Sequence, residues 1–373
     1  MIIRSLFLSN FRNFEQLQVD FGDHVNIFLG DNGQGKTNLL EAIYLLIDGE
    51  SFRYSNYDTL VQLHKSESLI KSFVQNEQLQ YNLKLLFSSH RKEFTVNEKK
   101  TTHTKVNLPP AILFSPESLS IIKESSDERR SLVDQLVTQV NRHGRQVLQD
   151  FKKALKTRNR ILKDLAHEKI DRLIGIETLA SLNQIYLKLA AEVTILRLNA
   201  LSDIQNEVEK ALIQIHSGQN IKFDYNYIIS EKNHKNSSLE FVLETLQNRM
   251  KELEKFELQS GVSLVGPQKH DVIFLYNGND SRFYCSQGQQ RSIILAFKMA
   301  QIVYHQKVHG FYPVLLLDDV LSELDLAKQE SLVSTLNQTK TQTFVTTTDV
   351  SLISKLSMSN ARVFNIKNGQ ISI

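Results

Sequence analysis

The chain has 373 residues, of which 41% are apolar and 23% charged, and its formal net charge is only +3 at neutral pH. That composition is ordinary for a globular protein; it lacks the roughly eighteen-residue apolar run of a membrane-spanning helix and the layout of a signal peptide. The one cysteine, Cys285, excludes an intrachain disulfide framework and fits a reducing cytoplasm, while the length predicts two domains or one domain with a large insertion.

From the start, Ile2 to Leu8 and Leu17 to Phe21 alternate as strands, and Val25 to Leu29 is a buried run. Between the first two strands, residues 9–14 mix polar and aromatic side chains. Arg12 and Asn13 there are candidates to contact a nucleotide, or the segment is simply a hairpin turn. The buried run stops at Gly30, and Lys36 opens an amphipathic helix through Leu39, Leu40, Ile43 and Leu46. Gly30-Asp31-Asn32-Gly33-Gln34-Gly35-Lys36-Thr37 is therefore G-x-x-x-x-G-K-T between a strand and a helix, the pattern of a phosphate-binding loop. Its glycines let backbone N–H groups turn toward phosphate oxygens, and the helix N-terminus adds partial positive charge. Lys36 would reach the β- and γ-phosphates of a nucleoside triphosphate, and the Thr37 hydroxyl would hold Mg²⁺.

The turn at residues 48–53 delivers Arg53 shortly after this loop, to stabilise phosphate charge, to touch DNA, or to stay solvated. Strand-like runs at 69–74, 79–87 and 94–96, with turns at 88–91 and 97–98, predict an antiparallel meander, and Ala111 to Phe114 is another buried strand. From about 118 to 260 the period is helical. Leu179, Leu182, Tyr186, Leu189, Val193, Leu196, Ala200, Ile204, Val208, Leu212 and Ile215 predict one helix of about ten turns, paired with a second through Leu239 to Leu253. Glu177, Lys188, Glu192 and Arg197 are expected on its solvated side. Between Arg142 and Lys163 there are eight Lys or Arg residues against one Asp. On a helix Arg145, Lys152, Lys156, Arg160 and Lys163 form one stripe, suited to a nucleic-acid backbone or to solvent alone.

Strand character returns at 263–267 and 272–276. Ser286, Gly288 and Gln289 then precede the apolar helix positions Ile293, Leu295, Ala296, Met299 and Ile302, which supplies a hydroxyl and free backbone N–H groups for a phosphate, or merely a cap. Pro313 to Leu317 is a buried strand ending in Asp318 and Asp319. Asp318 suits Mg²⁺, and Asp319 suits orienting or deprotonating the attacking water. A further strand at 343–349 ends in hydroxyls, and 363–373 closes with an Asn-Gly turn. The phosphate loop and the acidic strand lie about 280 residues apart, yet such a core needs both in one sheet. The head is thus expected to combine the two ends of the chain, with the helical segment projecting from it.

The order of phosphate loop, helical insertion, S-x-G-Q, strand with Asp-Asp and S-E-L-D resembles the ATP-binding-cassette heads of SMC-type chromosome and repair proteins. In detail it resembles the bacterial RecF family of recombination mediators, through NFRNF, GDNGQGKTNLLEAIYLL, GESFR, LFSPESL, ERR, RNRIL, SQGQQR, LLLDDVLSELD and TTTD. The resemblance implies an α/β fold: a P-loop ATPase head of ABC type with an antiparallel β subdomain, built from 1–115 and 262–373, and a mainly helical insertion at 116–261. It implies ATP and Mg²⁺ as cofactors, with residues 30–38 including Asn38, Arg12 and Asn13 on nucleotide. It also implies an ATP-dependent homodimer in which Ser286, Gly288 and Gln289 address the γ-phosphate held by the partner, while Lys36, Thr37 and Asp318 act within their own chain. Asp319 stands where many relatives carry glutamate, which implies slow, DNA-stimulated ATP hydrolysis. The implied partners are duplex and gapped DNA, contacted by Arg53, Lys152, Lys156 and Arg160, together with RecR and RecO, in recombinase loading. Thr347 or Thr348 stands at the switch-histidine position of transporter heads. Gln268-Lys269-His270-Asp271 and Ser125-Ser126-Asp127 depart from the family pattern. The alternative is an ABC-type subunit energising a transporter, or another SMC-like ATPase; the long separation of the two motifs argues against the former.

Overall fold

The computed structural model describes residues 2–53, 56–76, 79–88, 91–106, 108–339, 341–349 and 361–372. The tip of the turn expected at 88–91 lies outside them. In chain order, β1 (Ile2–Phe11) and β2 (Phe14–Asp20) form a hairpin, and β3 (Val25–Leu29) leads through the glycine-rich loop into α1 (Lys36–Asp48). A short α2 (Tyr57–Leu60) precedes β4 (Glu67–Asn76), β5 (Leu79–Ser88), β6 (Lys92–Val96) and β7 (Lys99–Thr101), and β8 (Ala111–Phe114) follows. Next come α3 (Ser126–Val140), α4 (Arg142–Ala166), the long α5 (Arg172–Ile215), β9 (Phe223–Ile229), β10 (Lys232–Asn233) and α6 (Leu239–Ser260). The chain continues with β11 (Asp271–Tyr276), β12 (Asn279–Asp280), α7 (Ser281–Tyr284) and α8 (Gln287–His309). It closes with β13 (Val314–Asp318), α9 (Leu326–Gln338), β14 (Thr343–Thr347), β15 (Arg362–Lys367) and β16 (Gln370–Ser372).

These elements form two compact units, Met1–Leu119 with Gln214–Gly218 and Leu295–Ile373, and Ser120–Ile213 with Gln219–Ile294. The first unit holds two six-stranded sheets. One is the antiparallel meander β2-β1-β4-β5-β6-β7. The other, β16-β15-β3-β14-β13-β8, joins N-terminal and C-terminal strands, as the distribution of the motifs requires. Its inner strands are parallel and buried on both faces, so β13 reads as an unbroken apolar run, Val-Leu-Leu-Leu, up to its terminal acid. α1 packs its apolar face into the core between the sheets, where Leu39, Leu40, Ile43 and Leu46 are fully buried among Phe11, Phe14, Phe28 and Phe344.

The second unit contains α3, α4, nearly all of α5, α6, α7 and the small sheet β10-β9-β11-β12. Residues 262–294, grouped with the head on sequence grounds, cluster here with the helices. β11 pairs with β9 from Asp271↔Ile228 to Tyr276↔Phe223, and Arg129 on α3 clamps Asp271 through two hydrogen bonds of 2.9 and 2.8 Å. The strand expected at 263–267 does not form. The N–H groups of Leu264 and Val265 go to the Glu257 carboxylate at 2.6 and 3.3 Å, and Gly266 sits at φ +127°, so no ladder is available to them. Glu257 is itself held by the buried Arg158 at 2.7 and 3.1 Å. Arg197, expected on the solvated side of α5, is also buried. It makes a two-pronged contact with Asp134 at 2.7 and 2.9 Å and donates to the Pro267 carbonyl at 2.8 Å. Among the described residues no helix is long and apolar enough to cross a membrane.

His270, one of the departures from the family pattern, is buried beside Tyr227, whose hydroxyl lies 3.1 Å from its Nδ1. Burial, with the charges of Arg197 and Arg130 adding to it, pushes its pKa well below the usual histidine value. Burial likewise takes His305 down to about 4. Both rings stay neutral in the folded chain while the unfolded chain takes up protons below about pH 6.5, so stability is lost as pH falls through that value. Each such group contributes a loss of about 1.4 kcal/mol per pH unit below that point, until its own folded-state pKa is reached, about 4 for His305. Melting curves at pH 7.5 and 5.5 will show a lower transition at the acid pH, and His270→Gln will shrink the difference.

Candidate nucleotide-binding site

The phosphate loop takes its shape from neighbours distant in sequence. Gly30 lies against β15, which runs parallel to β3, and a Cβ at this position would strike the carbonyl of Ile366. Gly35 caps α1 at φ +110°, a conformation that favours glycine. Gln34 is held from two sides: its Oε1 accepts from the Asn368 N–H at 2.6 Å, and its carbonyl accepts from Asn13 Nδ2 at 3.1 Å. Asn38 Nδ2 in turn donates to Asn13 Oδ1 at 2.8 Å. Asp31, Asn32 and Gly33 form the exposed crest of the loop. Lys36 is buried beneath it, and its Nζ donates to the carbonyls of Gly30 and Asp31 at 2.6 and 2.9 Å. Burial lowers its pKa, against the opposing pull of Asp319, Asp318 and Asp31.

The acidic strand meets the loop through a threonine on each side. Thr37 Oγ1 donates to Asp318 Oδ1 at 2.9 Å, and Thr346 Oγ1, on the intervening strand β14, donates to the same oxygen at 2.8 Å. Burial raises the Asp318 pKa, while these two hydrogen bonds and the charge of Arg53 oppose the rise. Asp319 takes a left-handed conformation, φ +50°, with its N–H on Thr346 Oγ1 at 2.9 Å. Its Oδ1 is buried without a hydrogen-bond partner among the described residues. A buried carboxylate oxygen left unsatisfied is costly, and a water or a cation-bound ligand is the natural partner for it.

Thr37 Oγ1 and Asp318 Oδ1 are hard oxygen donors within one hydrogen bond of each other, which fits Mg²⁺. That ion binds through one or two protein oxygens and completes its octahedron with phosphate and water. No cage of three or more His, Cys, Asp or Glu side chains occurs among the described residues.

Both arginines near the loop converge on Glu41, which the sequence pattern had not singled out. Arg12 grips it through Nε at 2.9 Å and Nη2 at 2.8 Å, and Arg53 Nη1 lies 3.7 Å from it. The NFRNF segment is thus a hairpin turn that also supplies Asn13 to the loop. Thr346, too, was missed. The sequence drew attention to Thr347 and Thr348, but Thr347 Oγ1 accepts from the Asp349 N–H at 3.0 Å and Thr348 is exposed. Thr343, Thr346 and Thr347 are all buried on β14, and the parallel register Asp318↔Thr346 is what selects Thr346.

In the second unit, Ser286 caps α8 by a reciprocal pair. Its N–H donates to Gln289 Oε1 at 2.9 Å, and its Oγ accepts from the Gln289 N–H at 3.2 Å. Ser286 is exposed, and Gly288 follows on the first turn. On α4, Lys152, Lys156, Arg160 and Lys163 are exposed and Arg145 half-buried; Arg160 lies 3.8 Å from Asp164. The apolar side of the same helix buries Val147, Leu148, Phe151 and Leu162.

Comparison with known proteins sets this geometry in a family. Residues 2–120 match the model of the RecF/RecN/SMC N-terminal domain. DNA replication and repair protein RecF of Lactobacillus johnsonii is 36% identical over 100% of this chain and 99% of its own. The protein of the same name from Staphylococcus epidermidis is 35% identical over the full length of both chains. A solved structure of the recombination mediator protein RecF with ATP, in the RecFOR pathway, superposes with a TM-score of 0.86 at 29% identity, covering 100% of this chain and 97% of that one. An SMC head bound to the C-winged helix domain of ScpA superposes at 0.56 with 13% identity, which shows the shared head fold alone. With its ABC-type ATPase head and its full-length match to curated relatives, this chain belongs to the RecF family.

Proposed function

We propose that the chain is an ATP-dependent DNA-binding protein of replication and recombinational repair, acting as an ATP-gated dimeric clamp on duplex DNA beside single-stranded gaps. The observation that carries the nucleotide part is the 2.9 Å contact between Thr37 and Asp318, which brings the phosphate loop and the acidic strand to one point. Lys36 and the loop N–H groups bind the phosphates, and Thr37 with Asp318 would hold Mg²⁺. Bound there, the ion would supply positive charge to the β- and γ-phosphate oxygens. Asp319 orients the attacking water through its free carboxylate oxygen. An aspartate reaches less far than the glutamate of many heads, which suits slow turnover. The names of the family members and the ATP-bound relative support this reading.

The clamp reading adds a second copy. Ser286, Gly288 and Gln289 address the γ-phosphate held by the partner, so closure of the dimer reports bound ATP. The exposed lysines and arginine of α4 meet the DNA backbone, and RecR and RecO are the partners in recombinase loading. Hydrolysis stimulated by duplex DNA separates this reading from a transporter subunit.

Lys36→Ala will abolish binding of a fluorescent ATP analogue, since a charge-assisted contact to phosphate is lost from the centre of the loop. Asp319→Asn will form a dimer in ATP by size-exclusion chromatography at micromolar concentration, and Ser286→Arg added to it will restore the monomer while leaving ATP affinity intact. A monomeric Asp319→Asn protein in ATP would overturn the gating. Reversing Lys152, Lys156 and Arg160 to Glu will weaken duplex binding and reduce the slope of log affinity against log salt by about three. An unchanged slope returns the stripe to solvent.

A further inference from the structure

Glu41 lies outside the residues of the phosphate-binding pattern, yet it is fully buried on α1, one turn beyond Asn38. An isolated carboxylate there would cost several kcal/mol, so its partners have to compensate. Its Oε1 accepts from Arg12 Nη2 at 2.8 Å and from Ser51 Oγ at 2.6 Å, and its Oε2 accepts from Arg12 Nε at 2.9 Å. Ser51 Oγ also accepts from the main-chain N–H of Arg53 at 3.0 Å. The Arg53 guanidinium then donates to Asn38 Oδ1 at 3.0 Å, and Asn38 reaches the loop carbonyl of Gln34 through Asn13.

The two arginines differ in backbone conformation and exposure. Arg12 adopts φ +52°, unfavourable for a long side chain, and its N–H is fixed on the Leu60 carbonyl at 2.9 Å. Backbone strain of this kind persists only where surrounding contacts over-determine it, and the grip on Glu41 is one such contact. Arg53 is held on Asn38, the residue after Thr37, while its side chain stays 43% exposed.

We propose that Glu41 is a positioning residue for the nucleotide reaction. It fixes Arg12 directly and, through Ser51, the main chain that carries Arg53, so that the Arg53 guanidinium serves the terminal phosphate on the Asp318 side of the loop. The proposal rests on the ATP-binding reading and deepens it. A carboxylate with only a packing role would change stability and nothing else.

The test compares wild type with Glu41→Gln, Glu41→Asp, Ser51→Ala, Arg53→Ala and the Glu41→Gln/Arg53→Ala double variant. Melting temperature is measured without nucleotide. Affinities for fluorescent analogues of ATP and ADP, and kcat and KM for ATP, are measured with Mg²⁺. Glu41→Gln is expected to lower ATP affinity and kcat about tenfold, with ADP affinity changed less, because a charge-assisted contact is misplaced. In the Arg53→Ala background the same substitution should have about twofold effect, since coupled residues are not additive. Glu41→Asp should recover part of the loss. Ser51→Ala, which leaves no buried charge unpaired on Glu41, should reproduce the selective loss for ATP even if Glu41→Gln fails to fold. A lower melting temperature with unchanged ATP affinity and kcat in Glu41→Gln and Ser51→Ala overturns the proposal, as do fully multiplicative effects of Glu41→Gln and Arg53→Ala. Failure of the wild type to bind ATP any better than Lys36→Ala would instead sink the ATP reading itself.

Discussion

One carboxylate oxygen, Oδ1 of Asp318, organises the head. It is buried at the end of β13 and accepts from a threonine on either side, Thr37 after the phosphate loop and Thr346 on β14. Hydroxyl donors satisfy the geometry of the oxygen without cancelling its charge, so burial still raises the pKa of the group. A site that pays for a buried charge with neutral donors is poised to take a cation. The strand order β3-β14-β13 is what lets the two hydroxyls reach the same atom.

Glu41 presents the opposite solution. Its negative charge is buried completely, and two guanidinium groups and a serine hydroxyl surround it. Its charge is matched there by Arg12, with Arg53 nearby, and the contacts link the β1–β2 turn to the segment after α1. The head therefore holds two buried acids of different character beside one loop. One leaves its field available to a ligand, and the other spends its field in holding arginines still. The second unit repeats the latter arrangement with Arg158 on Glu257 and Arg197 on Asp134.

Much of this was legible in the residues. Glycine spacing, a lysine and a threonine between an apolar strand and an amphipathic helix define a phosphate loop, and Asp318 with Asp319 after four buried apolar residues define its partner strand. The helix read from Leu179 to Ile215 follows from a 3.6-residue period without a break, and in the structure it begins about two turns earlier, at Arg172. What escaped was set by distant pairing. Nothing local marks Glu41 as the acceptor for Arg12, because the two meet only when α1 packs under the hairpin. Arg197 reads as a surface charge until Asp134 on another helix neutralises it. Residues 263–267 look like a strand by composition, but Glu257 takes the N–H groups a ladder would need.

The hold of the Asn368–Gly369 turn on Gln34 has a consequence for how the molecule is made. The contact spans 334 positions, and the one from Thr37 to Asp318 spans 281. Ribosomes deliver the N-terminal part first. For most of its translation a nascent chain carries the complete glycine-rich motif with no acid to meet Thr37 and no β15 against Gly30. The contacts that shape the loop thus form only once β13 and β15 have been made.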